Sequence, residues 1–81
     1  MNVHVQFFSY FKQLTGTSAT SESLPEGATV AELLTALAER FPKLRGAEKS
    51  TLVAVGVEYA PKDQALREGD EVSVFPPVQG G

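Results

Sequence analysis

The first residues of the chain alternate between apolar and polar side chains. β-Branched and aromatic residues recur at every second position from Val3 to Phe7, and the opposite face carries His4, Gln6 and Phe8. A period of two is typical of a β-strand with one buried face. The pattern therefore predicts that the chain begins with a strand.

A short helical turn and a second strand are predicted next. The Ser9 hydroxyl can cap a helical turn through Leu14, and Gly16 is placed to end it. Residues 17–24 are rich in hydroxyl groups and weakly patterned, which suits a linker or an edge strand. We favour the strand because the turn residues Pro25 to Gly27 follow it.

The strongest pattern predicts a long amphipathic helix. Thr29 and Glu32 form a T-x-x-E capping box, in which each side chain satisfies a free backbone N–H group. Pro42 ends the helix because it lacks an N–H donor and clashes with the preceding turn. Apolar residues recur between these limits at helical spacing on one face: Val30, Leu33, Leu34, Leu37, Ala38 and Phe41.

Two further strands are predicted in the second half. The valine-rich segment from Thr51 to Tyr59 indicates a buried strand, and Gly56 within it indicates a bulge or a close backbone approach. Residues 61–63 and 67–70 predict turns, and Glu71 to Phe75 alternate as a last strand. One helix packed across a mixed sheet, an α+β roll, accommodates this order of elements.

Composition narrows the possible functions. The chain has 81 residues, no cysteine and one histidine, so we expect one domain, no disulfide or thiolate chemistry and no multi-histidine metal site. Ten acidic against seven basic residues argue against nucleic-acid binding. With no apolar stretch of membrane-spanning length and no signal-peptide pattern, we expect a cytoplasmic protein without a membrane partner.

Few residues are candidates for catalysis. His4 has no nucleophile beside it in sequence, which favours a surface or edge position. Glu68, Asp70 and Glu71 crowd one turn, but the spacing of a calcium-binding loop is absent, as are the nucleotide-binding and nucleophile-elbow motifs. We therefore expect no metal site and no catalytic apparatus in the chain itself.

The C-terminus carries the clearest chemical signal. Pro76 and Pro77 stiffen the exit from the last strand, and Gly80 and Gly81 have no Cβ that would block a narrow channel. Residues 77–81 extend up to ~17 Å, which is long beside a globule with a radius of gyration of ~12 Å. We expect a flexible tail that delivers a terminal carboxylate into a partner, after a separate ATP-using enzyme has activated it.

Phe8 and Phe75 also need an explanation, because both large aromatic side chains are predicted on the face of the sheet opposite the buried valines. Loops covering that face would explain them. An exposed aromatic patch at the root of the tail, of the kind found at protein interfaces, is the alternative.

The chain resembles the small, sulfur-carrier subunits of molybdopterin synthase, a ubiquitin-like β-grasp family. The resemblance rests on Thr29-x-x-Glu32, on Glu68 to Val72 and above all on the ending from Val74 to Gly81. It implies a β-grasp roll over residues 1–76, with a mixed sheet of four to five strands, one main helix and a flexible tail over 77–81.

The resemblance also implies a mechanism. An E1-like enzyme using ATP and magnesium would adenylate Gly81, and a persulfide-bearing protein would convert it to a thiocarboxylate. In a heterotetrameric synthase, this thiocarboxylate would donate sulfur to cyclic pyranopterin monophosphate. Phe8 and Phe75 would contact the large subunit, while the chain alone would be non-catalytic and bind no cofactor. The tail residues that enter the large subunit would be Pro76, Pro77, Val78, Gln79 and Gly80.

Other functions share the same ending. The chain would serve as a sulfur carrier for thiamine, for tRNA thiolation or for cysteine synthesis if the acceptor were different. A protein modifier joined through Gly81 to lysines is an alternative of another class. The last alternative is an interaction domain with an inert tail.

Overall fold

The computed structural model describes residues 1–77. The predictions for Val78, Gln79, Gly80 and Gly81 therefore lie outside the described residues. No helix within residues 1–77 is long and apolar enough to cross a membrane.

The described residues form five strands and two α-helices, with a 3₁₀ turn at Pro42–Leu44. The predicted strand within residues 17–24 and the predicted long helix are both confirmed. The elements are β1 (Asn2–Phe7), α1 (Phe11–Thr15), β2 (Ala19–Ser23), α2 (Val30–Arg40), β3 (Leu52–Val55), β4 (Glu58–Tyr59) and β5 (Glu71–Phe75).

The strands form one mixed sheet in the order β2-β1-β5-β3-β4. The central pair, β1 and β5, is parallel and aligns His4 with Glu71 and Phe7 with Val74. The other pairs are antiparallel. The first and last strands therefore lie side by side at the centre, so the chain leaves the sheet at the C-terminal end of β5. The predicted α+β roll with one main helix is confirmed.

Helix α2 packs its apolar stripe on one face of this sheet. The capping box forms as predicted: the Glu32 N–H donates to Thr29 Oγ1 at 3.3 Å, and the Thr29 N–H donates to Glu32 Oε1 at 2.9 Å. Phe41 follows the helix as its C-cap and meets Phe7 edge to face at 5.6 Å. The largest fully buried side chains are Val3, Val5, Phe7, Phe11, Val30, Leu33, Leu37, Val72 and Val74.

The prediction of one strand from Thr51 to Tyr59 is wrong. β3 and β4 form a hairpin in which Val55 pairs with Glu58, so Gly56 and Val57 form a two-residue loop. Gly56 has a φ of 63°, as the first loop position of a type II′ hairpin requires. A Cβ on Gly56 would meet nothing within 4 Å, so this glycine is needed for its backbone conformation and neither for a bulge nor for a close approach.

The predicted cap at Ser9 is also wrong. Helix α1 begins at Phe11 with Tyr10 as its N-cap, and no side chain caps it. Ser9 instead has a φ of 60° and turns the chain between β1 and α1. The predicted end of this helix is confirmed, because Gly16 has a φ of 76° and its N–H donates to the Lys12 carbonyl at 2.8 Å.

Candidate functional site

The face of the sheet opposite α2 carries few charges. Strand alternation directs the buried valines of β1 and β5 toward α2 and the intervening residues outward. Among the outward positions of the strands in residues 1–77, the acidic and basic side chains are Glu71 and His4, which align with each other in the β1–β5 pair. The part of this face at the C-terminal end of β5 is apolar.

Three aromatic rings meet at that apolar end. Phe75 lies between Phe8, at a centroid distance of 5.8 Å, and Tyr59, at 5.9 Å, and both contacts are edge to face. Phe8 is 40% exposed, Tyr59 is 71% exposed, and Val57 beside them is fully exposed at 100%. We call the residues Phe8, Val57, Tyr59 and Phe75 the aromatic surface.

Sheet register brings these rings together. The Phe8 N–H donates to the Val74 carbonyl at 3.1 Å, which continues the β1–β5 ladder by one residue and sets Phe8 beside Phe75. Tyr59 pairs with Ala54 of β3, and β3 pairs with β5. The aromatic surface thus draws on three separate parts of the chain and depends on the order of strands.

The aromatic surface encloses a shallow concavity. Its volume is about 420 Å³, and Ala54 and Ser73 line it together with the four residues of the aromatic surface. Among residues 1–77, no charged side chain lines it. Exposed apolar surface of this kind, with aromatic anchors, is typical of a protein-binding site.

The tail begins at this surface. Phe75 is the last residue of β5 and is followed directly by Pro76 and Pro77, which are half-buried. The structure therefore brings Phe8 and Phe75 together at the root of the tail, as their predicted common face suggests. The predicted interface and tail roles of these four residues stay predictions.

Sequence reasoning missed Tyr59 and Val57. The valine pattern predicts one buried strand for both, whereas the turn at Gly56 places them on an exposed hairpin. The dipeptide Gly56-Val57 was the available signal, because a glycine at the first position of a two-residue loop marks a type II′ hairpin.

The acidic turn before β5 has a structural use. Glu68 Oε1 accepts the Asn2 N–H at 2.8 Å, and Asp70 Oδ2 accepts the Arg67 N–H at 2.9 Å. His4 is exposed on the outward face and aligned with Glu71. Within residues 1–77, no three histidine, aspartate or glutamate side chains gather in a way that suits a metal ion.

Comparison with known proteins identifies relatives over the whole chain. The model of the ThiS family matches residues 5–81. The chain is 32% identical over 83 aligned residues to the molybdopterin synthase sulfur carrier subunit of Chlamydomonas reinhardtii, and the alignment covers 100% of both proteins.

Solved structures show the same fold. A putative molybdopterin converting factor subunit 1 from Pyrococcus furiosus is 34% identical with a TM-score of 0.87, over 96% of this chain and 99% of that one. The small archaeal modifier protein 1 of Haloferax volcanii is 26% identical with a TM-score of 0.85, over 95% of this chain and 98% of that one.

Proposed function

Because this chain belongs to the ThiS family, we propose that it is the sulfur-carrier subunit of a molybdopterin synthase. The observation that carries the proposal is the full-length similarity to the Chlamydomonas reinhardtii protein of that name, at 32% identity. The C-terminal Gly80-Gly81, which lies within the matched residues, supplies the reactive end.

The chemistry begins with activation of the Gly81 carboxylate. A carboxylate is a poor electrophile, so an E1-like enzyme with ATP and magnesium joins it to AMP and releases pyrophosphate. The terminal sulfur of a persulfide protein then attacks the carbonyl carbon and displaces AMP. A thiol then attacks the sulfur of the persulfide protein in the resulting acyl disulfide, forms a disulfide with that protein and releases the thiocarboxylate on Gly81.

The sulfur of this thiocarboxylate is the group that the chain delivers. It attacks a carbon of cyclic pyranopterin monophosphate and displaces an oxygen substituent from that carbon, which forms a thioester, and hydrolysis of the thioester leaves the sulfur on the pterin and returns Gly81 to a carboxylate. Two such transfers supply both sulfurs of the dithiolene. The chain has no cysteine, which supports a mechanism in which the sulfur comes from another protein.

The aromatic surface is the proposed docking site for the large synthase subunit. It combines exposed aromatic side chains with a concavity that no charged side chain from the described part of the chain lines, and aromatic side chains dominate binding energies at protein interfaces. Pro76 and Pro77 leave this surface directly. Docking here would therefore start the tail at a fixed point and direct it into the large subunit.

Protein modification is a second candidate function. The similarity to the small archaeal modifier protein 1 of Haloferax volcanii, at 26% identity and a TM-score of 0.85, favours it. In that function the activated Gly81 carbonyl reacts with a lysine amine of a target protein and not with a persulfide. Both functions use the same first step, so one protein is chemically able to perform both.

Reconstitution distinguishes these possibilities. The thiocarboxylated chain would be mixed with the large synthase subunit and cyclic pyranopterin monophosphate, and molybdopterin formation followed. The matched control is the same chain with a Gly81 carboxylate. We expect molybdopterin to form with the thiocarboxylated chain and not with the carboxylate control. No product from a verified thiocarboxylate would refute the proposed pathway and direct the search to thiamine, tRNA or protein lysines as acceptors.

A further inference from the structure

Ser9 has a backbone conformation that is unusual for its residue type. Its φ is 60°, and no other non-glycine residue within residues 1–77 has a positive φ. Side chains with a Cβ adopt this left-handed region at a steric cost. Residues held there are concentrated at sites where function requires one particular chain path, and Ser9 directly follows Phe8 of the aromatic surface.

The turn at Ser9 holds the backbone of Phe8 from both sides. The Phe8 N–H donates to the Val74 carbonyl at 3.1 Å, and the Phe8 carbonyl accepts the Phe11 N–H at 3.2 Å. The Ser9 carbonyl accepts the Lys12 N–H at 3.1 Å. An extended Ser9 would break the second bond, because Ser9 is a central residue of the turn that this bond closes.

The same turn places nearby aromatic side chains on opposite sides of the protein. Phe11 is 2% exposed and belongs to the core, whereas Phe8 is 40% exposed. The Phe8 ring packs edge to face on Phe75. The change of direction at Ser9 lets α1 bury Phe11 while Phe8 stays on the outward face.

We propose that Ser9 is a positioning residue for partner docking, and that its left-handed conformation holds Phe8 against Phe75 in the geometry the large synthase subunit binds. The inference rests on the proposed function, since it takes the aromatic surface as the docking site. Preorganised surfaces bind more tightly because less conformational freedom is lost on association. Ser9 would therefore contribute to affinity without itself contacting the partner.

The first test examines the free protein. Asparagine tolerates the left-handed region, whereas β-branched valine does not, so Ser9→Asn is the matched control for Ser9→Val. We expect nuclear Overhauser effects between the Phe8 and Phe75 rings to persist in Ser9→Asn and to disappear in Ser9→Val. Persistence of these contacts in a folded Ser9→Val protein would overturn the proposal. Ser9→Ala gives the same test in a milder form if the valine variant does not fold.

The second test measures affinity for the large subunit. Ser9→Val should bind about tenfold more weakly, and Ser9→Asn should bind within about twofold of the unmodified chain. If Ser9 acts through Phe8, Ser9→Val will cause no further loss in a Phe8→Ala background. An equal loss in both backgrounds would overturn the positioning role. If the unmodified chain does not bind the large subunit at all, the docking claim and the proposed function fail together. The nuclear Overhauser effects between the Phe8 and Phe75 rings then decide by themselves whether Ser9 holds Phe8.

Discussion

Phe8 and Phe75 come from opposite ends of the chain, yet their rings meet edge to face at 5.8 Å. Parallel pairing of β1 with β5 makes them neighbours. Edge-to-face pairs of this kind contribute ~0.5–1.5 kcal/mol beyond the burial of their area. The pair thereby links the N-terminal strand to the residue from which the tail departs.

Tyr59 offers the sharpest test of the aromatic surface. It is 71% exposed on a two-residue edge strand, so Tyr59→Ala should lower the free energy of unfolding only by the ~0.5–1.5 kcal/mol of its edge-to-face contact with Phe75. If Tyr59 anchors the large subunit, its loss should cost ~1–2 kcal/mol of binding free energy, or about 5- to 30-fold in affinity. Isothermal titration calorimetry measures this directly.

The neighbouring residue provides the control for that experiment. Glu58 pairs with Val55, whereas Tyr59 pairs with Ala54, so the two side chains point to opposite faces of the hairpin. Glu58→Ala should bind as the unmodified chain does. Equal affinity of the Tyr59 and Glu58 variants would show that docking uses another surface.

The capping box should contribute measurable stability. Thr29→Ala removes the Oγ1 acceptor of the Glu32 N–H, and loss of such a cap costs ~1 kcal/mol. For a domain of this size, that lowers the melting temperature by roughly 4–8 °C. Thermal unfolding followed by circular dichroism measures the shift.

Thr35 is the matched control on the same helix. Its hydroxyl donates to the Ala31 carbonyl one turn earlier, which satisfies no free N–H group at the helix start, and alanine is the better helix former. Thr35→Ala should therefore leave the melting temperature unchanged or raise it slightly. If Thr35→Ala lowered the melting temperature as much as Thr29→Ala, the effect would come from loss of any hydroxyl on α2 and not from loss of the cap.

Local signals allowed α2 to be predicted with its start and its buried face. The capping box, the spacing of apolar residues and Pro42 all lie within one short segment and agree with one another. The aromatic surface is different, because Tyr59 approaches Phe75 only through the sheet order in which β3 lies between β4 and β5. The order of strands in the sheet cannot be deduced from the spacing of these residues along the chain or from their side-chain types.

The wrong predictions at Gly56 and at Ser9 each have a cause in the local backbone. The valines on both sides of Gly56 fit a single strand, and the two-residue loop interrupts that pattern too briefly to be seen in it. Ser9 has the side chain of a helix cap, but its positive φ excludes the extended conformation that an N-cap residue adopts. In both cases the backbone angle, and not the side-chain pattern, decides the structure.

Gly56 should be sensitive to substitution for conformational reasons alone. A Cβ there meets nothing within 4 Å, but φ is 63°. An L-residue in this region costs ~1–2 kcal/mol, so Gly56→Ala should lower the free energy of unfolding in urea by about that amount. Gly56→Asn should lose less, because asparagine adopts the left-handed region more readily. Equal losses in both variants would contradict this explanation.

The C-terminal glycines should be required for activation and not for folding. Terminal residues contribute little stability, so deletion of Gly81 and the substitution Gly80→Val should both leave the melting temperature unchanged. Adenylation needs the carboxylate placed at the α-phosphate of ATP, and a displacement of about 1 Å costs roughly a hundredfold in rate. We therefore expect the rate of ATP–pyrophosphate exchange with the activating enzyme to fall by about a hundredfold or more in both variants.

Gln79→Ala, which keeps the tail length and both glycines, is the control and should retain exchange. Exchange at the unmodified rate by the chain without Gly81 would show that this carboxylate is not the activated group.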